Sequence, residues 1–348
     1  MKPLFLVGYM GCGKSTLGRK LARRLGVGFV DTDALVEEQA VIDGNFPTVE
    51  SPNPEERKTM AKAIELGSRL GADLVLATDP DSDRIGVALR NAKGEYVLLN
   101  GNQTLSLIMA YQLTRWSELG RLDGKEFVVK TIVTSQMPNV MAAHFGVKCY
   151  DCLTGFKYIA RIIRNNEGKA TYIGGGEESF GYLAGDFVRD KDAVFAAEMI
   201  CETAAYCKSQ GKTLLDFMQD IYKEFGVFRH KTISAAFDGA AGMETMKSIM
   251  NTLREKTPDT LAGMKVTAVS DYLHKTCRDI ASGNVTPIDL PAADVFAMTL
   301  ENDCSLIIRP SGTEPKIKAY LNACAPTLEG ADAIVASLEQ EANAIFGA

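Results

Sequence analysis

Leu74-Val75-Leu76-Ala77-Thr78-Asp79-Pro80-Asp81-Ser82-Asp83-Arg84 is the stretch on which the reading turns. Its apolar start predicts a short buried strand. The strand runs into a tight loop carrying the carboxylates Asp79, Asp81 and Asp83. Like charges this close repel strongly where the dielectric is low, and a divalent cation removes the conflict. Hard oxygen donors favour Mg²⁺, which keeps room for waters and a phosphate oxygen. The same spacing also occurs in a solvated acidic turn. Here, however, the loop follows a core strand, the place where ligands gather in α/β folds.

The chain of 348 residues is long enough for two or three domains with real cores. Its 46% hydrophobic and 24% charged residues are ordinary for a globular protein. A net charge of −6 argues against a nucleic-acid partner. The basic cluster Arg19, Lys20, Arg23 and Arg24 reads as a solvated helix end. Eight scattered cysteines include Cys149-x-x-Cys152, which has no second pair, and the only histidines are His144, His230 and His274. Reduced structural thiols in a cytoplasmic protein are therefore expected rather than a zinc site. The opening apolar run stops at Gly8 before any cleavage signal, and no stretch approaches the roughly 18 apolar residues of a membrane span.

Along the chain, residues 4–7 read as a strand, 8–13 as a Gly-rich turn and 27–30 as a second strand. Leu17, Leu21 and Leu25 form a helical stripe between them, giving a β-α-β unit. Helices are expected near 54–70, 104–117, 137–145, 153–164, 193–210 and 213–224. Strands near 85–89, 96–99, 127–133 and 171–174 alternate with them. After Phe225 strands dominate, at 231–237, 264–269, 295–300, 304–308 and 317–321. A helix with the stripe Met243, Met246, Ile249 and Leu253, read as core, and a final helix at 328–346 complete this region. The expected fold is α/β: consecutive α/β/α domains, a C-terminal α+β domain and an N-terminal P-loop unit. The expected boundaries are 1–39, 40–94, 95–225 and 226–348.

Two further loops have the equipment of a phosphosugar contact. Gly174-Gly175-Gly176-Glu177-Glu178-Ser179-Phe180-Gly181-Tyr182 lets a ligand approach closely, and its paired glutamates could accept from vicinal hydroxyls. Arg309-Pro310-Ser311-Gly312-Thr313-Glu314-Pro315-Lys316 offers a guanidinium, hydroxyls and an ammonium, as a phosphate clamp needs. Three more motifs accompany them: Asp43-Gly44-Asn45-Phe46-Pro47 with Pro52-Asn53-Pro54-Glu55-Glu56, Thr154-Gly155-Phe156-Lys157, and Arg189-Asp190-Lys191-Asp192.

From about Glu38 onward this set resembles the α-D-phosphohexomutase family of phosphoglucomutases and phosphomannomutases. The Glu-Glu-Ser-Phe-Gly form is closer to the phosphoglucomutase branch. The resemblance implies Mg²⁺ on Asp79, Asp81 and Asp83, and sugar hydroxyls on Glu177 and Ser179. It implies a distal phosphate on Arg309, Ser311, Gly312 and Thr313, with Arg84, Lys157 and Lys191 as further substrate contacts. The implied reaction interconverts hexose 1-phosphate and 6-phosphate through a bisphosphate, with glucose 1,6-bisphosphate as activator. A phosphorylated hexose is the expected partner. The family's phosphoserine loop, Thr-Ala-Ser-His-Asn-Pro, is absent; Thr134-Ser135-Gln136-Met137-Pro138-Asn139 only echoes it. No catalytic residue is assigned, and the chain is not expected to complete the reaction alone.

Gly8-Tyr9-Met10-Gly11-Cys12-Gly13-Lys14-Ser15-Thr16 fits the phosphate-binding loop G-x-x-x-x-G-K-[ST]. Residues 1–39 resemble the start of shikimate kinase, which implies ATP at Gly8, Gly11, Gly13, Lys14, Ser15 and Thr16. It also implies Mg²⁺ placed by Asp31 and substrate hydroxyls on Asp33. The rest of a kinase core does not follow. The unit is expected to replace the mutase family's own opening β-α-β, its strands completing the sheet behind Leu74–Ala77. A P-loop kinase fragment and a non-catalytic sugar-phosphate binding module are the alternative readings.

Overall fold

Strand β1 (Leu4–Val7) pairs in parallel with both β2 (Phe29–Asp31) and β3 (Leu74–Thr78). The N-terminal strands thus enter the sheet behind the acidic loop, in the slot expected for them. The structure, a computed structural model, describes residues 4–7, 29–31, 43–237, 239–311 and 315–347. It divides into two compact units, Met1–Thr134 with Pro138–Ile221, and Ser135–Met137 with Tyr222–Ala348.

In the first unit, β4 (Ile85–Arg90) and β5 (Tyr96–Leu99) extend this sheet antiparallel, in the order β2-β1-β3-β4-β5. All of β3 is buried, as its unbroken apolar run requires. Helix α1 (Ala61–Leu70) buries Ala63, Leu66 and Gly67, and ends at left-handed Gly71. It starts later than expected. Pro52 and Pro54 flank Asn53, whose side chain accepts from the Glu55 N–H and favours turns over helix.

Helix α2 (Gly101–Glu118) opens with a capping box between Asn100 and Gln103. It precedes a second sheet, β7-β6-β8-β9, built from β6 (Glu126–Thr131), β7 (Lys148–Cys152), β8 (Thr171–Gly176) and β9 (Tyr182–Ala184). Helices α3 (Met137–His144), α4 (Phe156–Asn166), α5 (Ala193–Ser209) and α6 (Leu214–Phe225) accompany it. Phe127, Val129, Cys152, Ile159, Ile163 and Leu183 share one core. Strands β7 and β9 were not expected. β7 carries Lys148 and Asp151, and β9 is three residues long, so neither has a strong period-2 signal.

The second unit is an antiparallel eight-stranded sheet. Its strands are β10 (Val227–Ala236), β11 (Thr260–Leu261), β12 (Met264–Asp271), β13 (Thr276–Asp279) and β14 (Val285–Pro287). They are followed by β15 (Phe296–Leu300), β16 (Ser305–Pro310) and β17 (Lys316–Ala325). Helices α7 (Gly239–Glu255) and α8 (Leu328–Phe346) supply Met246, Met250, Leu253, Leu338 and Phe346 to its core. Met243, read as core, is instead 52% exposed. It lies about one helical turn before Met246, which does join the core. The polar β13 and the wholly exposed β14 escaped the sequence reading.

Among the described residues all seven cysteines are free thiols, and no helix is long and apolar enough to cross a membrane. Burial pushes the Cys149 and Cys152 thiols up to about 12, as befits packing rather than chemistry.

Candidate functional site

The end of β3 delivers Asp79 into the first unit's site, only 1% exposed. Its Oδ1 accepts the backbone N–H groups of Asp83 and Arg84, each at 3.0 Å. Its Oδ2 accepts Arg84 Nε at 2.7 Å. These bonds curl the loop back on itself, and Ser82 adopts left-handed backbone (φ 60) to close it. Ligand oxygens of Asp79, Asp81 and Asp83 consequently lie within 4.8 Å of one another. Burial pushes the Asp79 carboxyl up. Burial alone would raise Asp83 too, but the hydrogen bond and charge of Lys191 hold it down.

The donor set fits a hard divalent cation. Asp83 Oδ1 is buried and accepts no hydrogen bond, while Asp81 is exposed and leaves the cluster open on one side. Two cations flank it. Arg84 reaches Asp83 at 3.5 Å and Glu55 at 3.8 Å, which brings the Pro52–Glu56 motif to the site. Lys191 Nζ lies 2.7 Å from Asp83 Oδ2, 3.3 Å from Asp190 Oδ1 and 5.8 Å from the Phe156 ring centre.

The Gly-rich loop follows β8. The Glu177 N–H donates to the Gly181 carbonyl at 2.9 Å, and Phe180 takes left-handed backbone (φ 67). The Lys191 stem packs on Gly181, where a Cβ would lie 2.2 Å from Lys191 Cδ and would force that stem to move. The Ile85 N–H donates to the Phe180 carbonyl at 3.1 Å, and Arg84 and Gly181 form an isolated antiparallel bridge. The Ala193 N–H donates to the Ser82 carbonyl at 2.9 Å. Acidic and Gly-rich loops, about a hundred residues apart, are thus hydrogen-bonded to each other.

The expected pairing of Glu177 with Glu178 is not what forms. Glu177 is buried, and its Oε1 accepts the Gly155 N–H at 2.7 Å. Glu178 turns away, and its Oε2 accepts the hydroxyls of Thr131 and Thr134 at 3.1 and 3.2 Å. Successive side chains on a loop with a left-handed turn need not share a face. Burial pushes both carboxyls up. Ser179 is half-buried on the same loop.

The Thr154–Lys157 motif reaches the site through Gly155 and Phe156. Lys157 itself is exposed, with its ammonium 5.1 Å from the Tyr158 ring centre. Arg189 pairs with Glu167, and Asp192 caps α5 by accepting the Phe195 N–H at 2.9 Å. The sequence reading missed Thr131, Thr134 and Gly101. The helix that Gly101 opens was expected to start near 104, and a Cβ on this glycine would lie 1.9 Å from the Glu178 carbonyl oxygen.

In the second unit, Arg309 stands on β16 opposite Lys318 of β17, and the Ser311 N–H donates to the Lys316 carbonyl at 2.7 Å. The hairpin expected around this loop is therefore formed. Gly312 and Thr313 lie outside the described residues. So do Gly8, Gly11, Gly13, Lys14, Ser15, Thr16 and Asp33, and Asp31 is described only as backbone in β2.

Comparison with known proteins gives consistent matches. Residues 5–94 match the family model for phosphoglucomutase/phosphomannomutase alpha/beta/alpha domain II. Residues 100–225 match that for domain III. The domain II match begins inside the segment that resembled shikimate kinase, and that kinase resemblance receives no support. A phosphoglucomutase from Staphylococcus aureus (strain MRSA252) is 37% identical over 295 residues, spanning 85% of this chain and 52% of that protein. One from Staphylococcus haemolyticus is 38% identical over 290 residues, again spanning 52% of its length. The chain therefore spans about half the length of these curated relatives. In fold it is similar to parafusin, a phosphoglucomutase from Paramecium, in an open form, with TM-score 0.68, 18% identity, and coverage of 99% of this chain and 57% of that one. A phosphoglucomutase/phosphomannomutase family protein from Burkholderia thailandensis gives TM-score 0.64 at 17% identity, covering 99% and 61%.

Proposed function

We propose, for a chain that carries domains II and III of the phosphoglucomutase/phosphomannomutase family, a role in interconverting hexose 1-phosphate and 6-phosphate. Asp79, Asp81 and Asp83 would hold Mg²⁺. When bound, the metal supplies positive charge against a transferring phosphoryl group. Arg84 and Lys191 place further fixed cations beside the same point. Glu177 and Ser179 would take the hexose hydroxyls, and Glu177, anchored by the Gly155 N–H, is pre-set as an acceptor. In the second unit, Arg309 and Ser311, with Gly312 and Thr313, would by the family resemblance bind a phosphate. Lys157, on the same motif as Gly155, serves as a peripheral cation for the entering anion.

The observation that carries this reading is the backbone bridge between the acidic loop and the Gly-rich loop, in which Arg84 stands opposite Gly181 and the Ile85 N–H donates to the Phe180 carbonyl. A metal-held phosphoryl group and the hydroxyls of one hexose can then be handled at one place. No Thr-Ala-Ser-His-Asn-Pro loop occurs in the sequence, so glucose 1,6-bisphosphate is the phosphoryl source to supply in a test. Calorimetry with glucose 1-phosphate and Mg²⁺ should detect binding, weakened by Asp81→Ala and by Arg309→Ala. A coupled mutase assay with glucose 1,6-bisphosphate then separates two outcomes. Turnover assigns a mutase, and binding without turnover assigns a hexose-phosphate binding module. Absence of hexose-phosphate binding overturns the reading.

A further inference from the structure

Glu178 is the acidic residue of the Gly-rich loop whose side chain leaves the site. Its Oε2 lies 3.1 Å from Thr131 Oγ1 and 3.2 Å from Thr134 Oγ1, and those two hydroxyls are 2.8 Å apart. Both threonines are fully buried. Thr131 ends β6, and the Thr134 N–H donates to the Thr131 carbonyl at 3.1 Å, so the hydroxyls sit on backbone that is itself fixed. Three oxygens therefore form a closed triangle. Two hydroxyl protons can serve only two of its three edges. A proton on the carboxyl would serve the third, and burial and the neighbouring Glu177 push Glu178 toward that protonated form.

The backbone of the same residue is clamped from the other side. Gly101, the first residue of α2, lies so close that a Cβ would come within 1.9 Å of the Glu178 carbonyl oxygen and 2.7 Å of the Phe180 nitrogen. Glu178 is thus held by its side chain at the end of β6 and by its main chain against the start of α2. The residues on either side of it, Glu177 and Ser179, are the ones assigned to hexose hydroxyls.

We infer that Glu178 is a positioning residue: it does not touch the hexose, but through Thr131 and Thr134 it sets the placement of Glu177 and Ser179. The inference rests on the proposed hexose-phosphate reading and adds to it the residue that fixes hydroxyl recognition. Left-handed backbone at Phe180 persists only where its surroundings over-determine it. Removing the loop's buried anchor relaxes that constraint, and hydroxyl contacts are lost while phosphate contacts on other loops remain.

The test measures, by calorimetry in Mg²⁺, the affinities for glucose 1-phosphate and for inorganic phosphate in the wild type, Glu178→Ala and Glu178→Gln. Glu178→Ala should weaken glucose 1-phosphate about tenfold, the loss of one to two buried hydrogen bonds, with inorganic phosphate changed less than about twofold. Glu178→Gln, whose amide both donates and accepts, should restore glucose 1-phosphate binding to within about threefold of wild type. Unchanged affinity in Glu178→Ala, equal loss for both ligands, or a Gln variant as weak as the Ala variant overturns the inference while leaving the hexose-phosphate reading intact. Should Glu178→Ala lose its cooperative thermal transition, Thr134→Val decides instead. It removes one donor, and selective weakening for glucose 1-phosphate supports the inference while none overturns it. A wild type that binds no glucose 1-phosphate removes both readings together.

Discussion

Lys191 donates to Asp83 at 2.7 Å across the junction of the acidic and Gly-rich loops, with its stem lying over Gly181. The ammonium offsets part of the negative charge that Asp79, Asp81 and Asp83 concentrate. It is 17% exposed and Asp83 25%, so water screens the pair only in part. Lys191→Met should therefore lower stability by about 1.5–3 kcal/mol, as for a hydrogen bond to a charged group. It also leaves the three carboxylates less compensated. Mg²⁺ should raise the melting temperature of this variant more than that of the wild type, measured by thermal denaturation with and without the ion. Equal shifts would refute this account of the charge balance.

Gly101 gives a steric prediction. Gly101→Ala places a methyl group 1.9 Å from the Glu178 carbonyl oxygen, and neither backbone can yield without moving the loop. Overpacking of this kind costs about 1–3 kcal/mol. Glucose 1-phosphate affinity should fall along with the melting temperature.

Acid stability has a distinct source in the second unit. Burial would raise Asp271, but the His274 hydrogen bond at 2.6 Å and the Arg254 ion pair at 3.1 Å overcome this and hold its carboxyl below the usual value. A depressed folded-state pKa contributes stability that is present above the unfolded value, near 3.9, and lost as pH falls through the folded value. In urea denaturation, Asp271→Asn should be about 1–3 kcal/mol less stable than wild type at pH 7. The gap should close as the pH falls below about 4, and a gap independent of pH would contradict this origin.

Two methionines of α7 separate burial from sequence pattern. Met250 is 1% exposed and Met243 is 52% exposed. Met250→Ala should cost about 2–5 kcal/mol through lost contacts and a cavity. Met243→Gln should stay within about 0.5 kcal/mol of wild type in the same denaturation measurement.

The placement of the candidate loops was legible because its signals are local. Asp79, Asp81 and Asp83 sit in one loop behind one apolar strand, so the sequence alone brings their carboxylates together. Arg309 and Ser311 lie on a hairpin whose flanking strands announce themselves by their apolar runs. The fate of Glu178 was not legible, because it depends on Thr131 and Thr134, more than forty residues earlier. Glu177 and Glu178 look equivalent in sequence, and only tertiary placement separates them. Met243 failed for a related reason: helical spacing identifies a stripe but not where the sheet beneath it ends. At the N-terminus, the alternation of strand, glycines and helix located β1 and β2 in the sheet. The resemblance to a kinase rested on residues that serve phosphate binding in one family and a generic β-α-β turn in others.

Helix α5 begins at the junction of the two loops. Asp192, its cap, donates its N–H to the Tyr182 carbonyl at 3.0 Å, and Ala193, its first residue, donates to the Ser82 carbonyl at 2.9 Å. Both turns are thus bolted to the same rod, which buries Ile200, Cys201 and Thr203 farther along its length. A tilt of that rod would swing the carboxylate cluster and the Gly-rich turn in unison. Altered packing at Cys201, remote from either turn, would then be felt as a change in geometry at both.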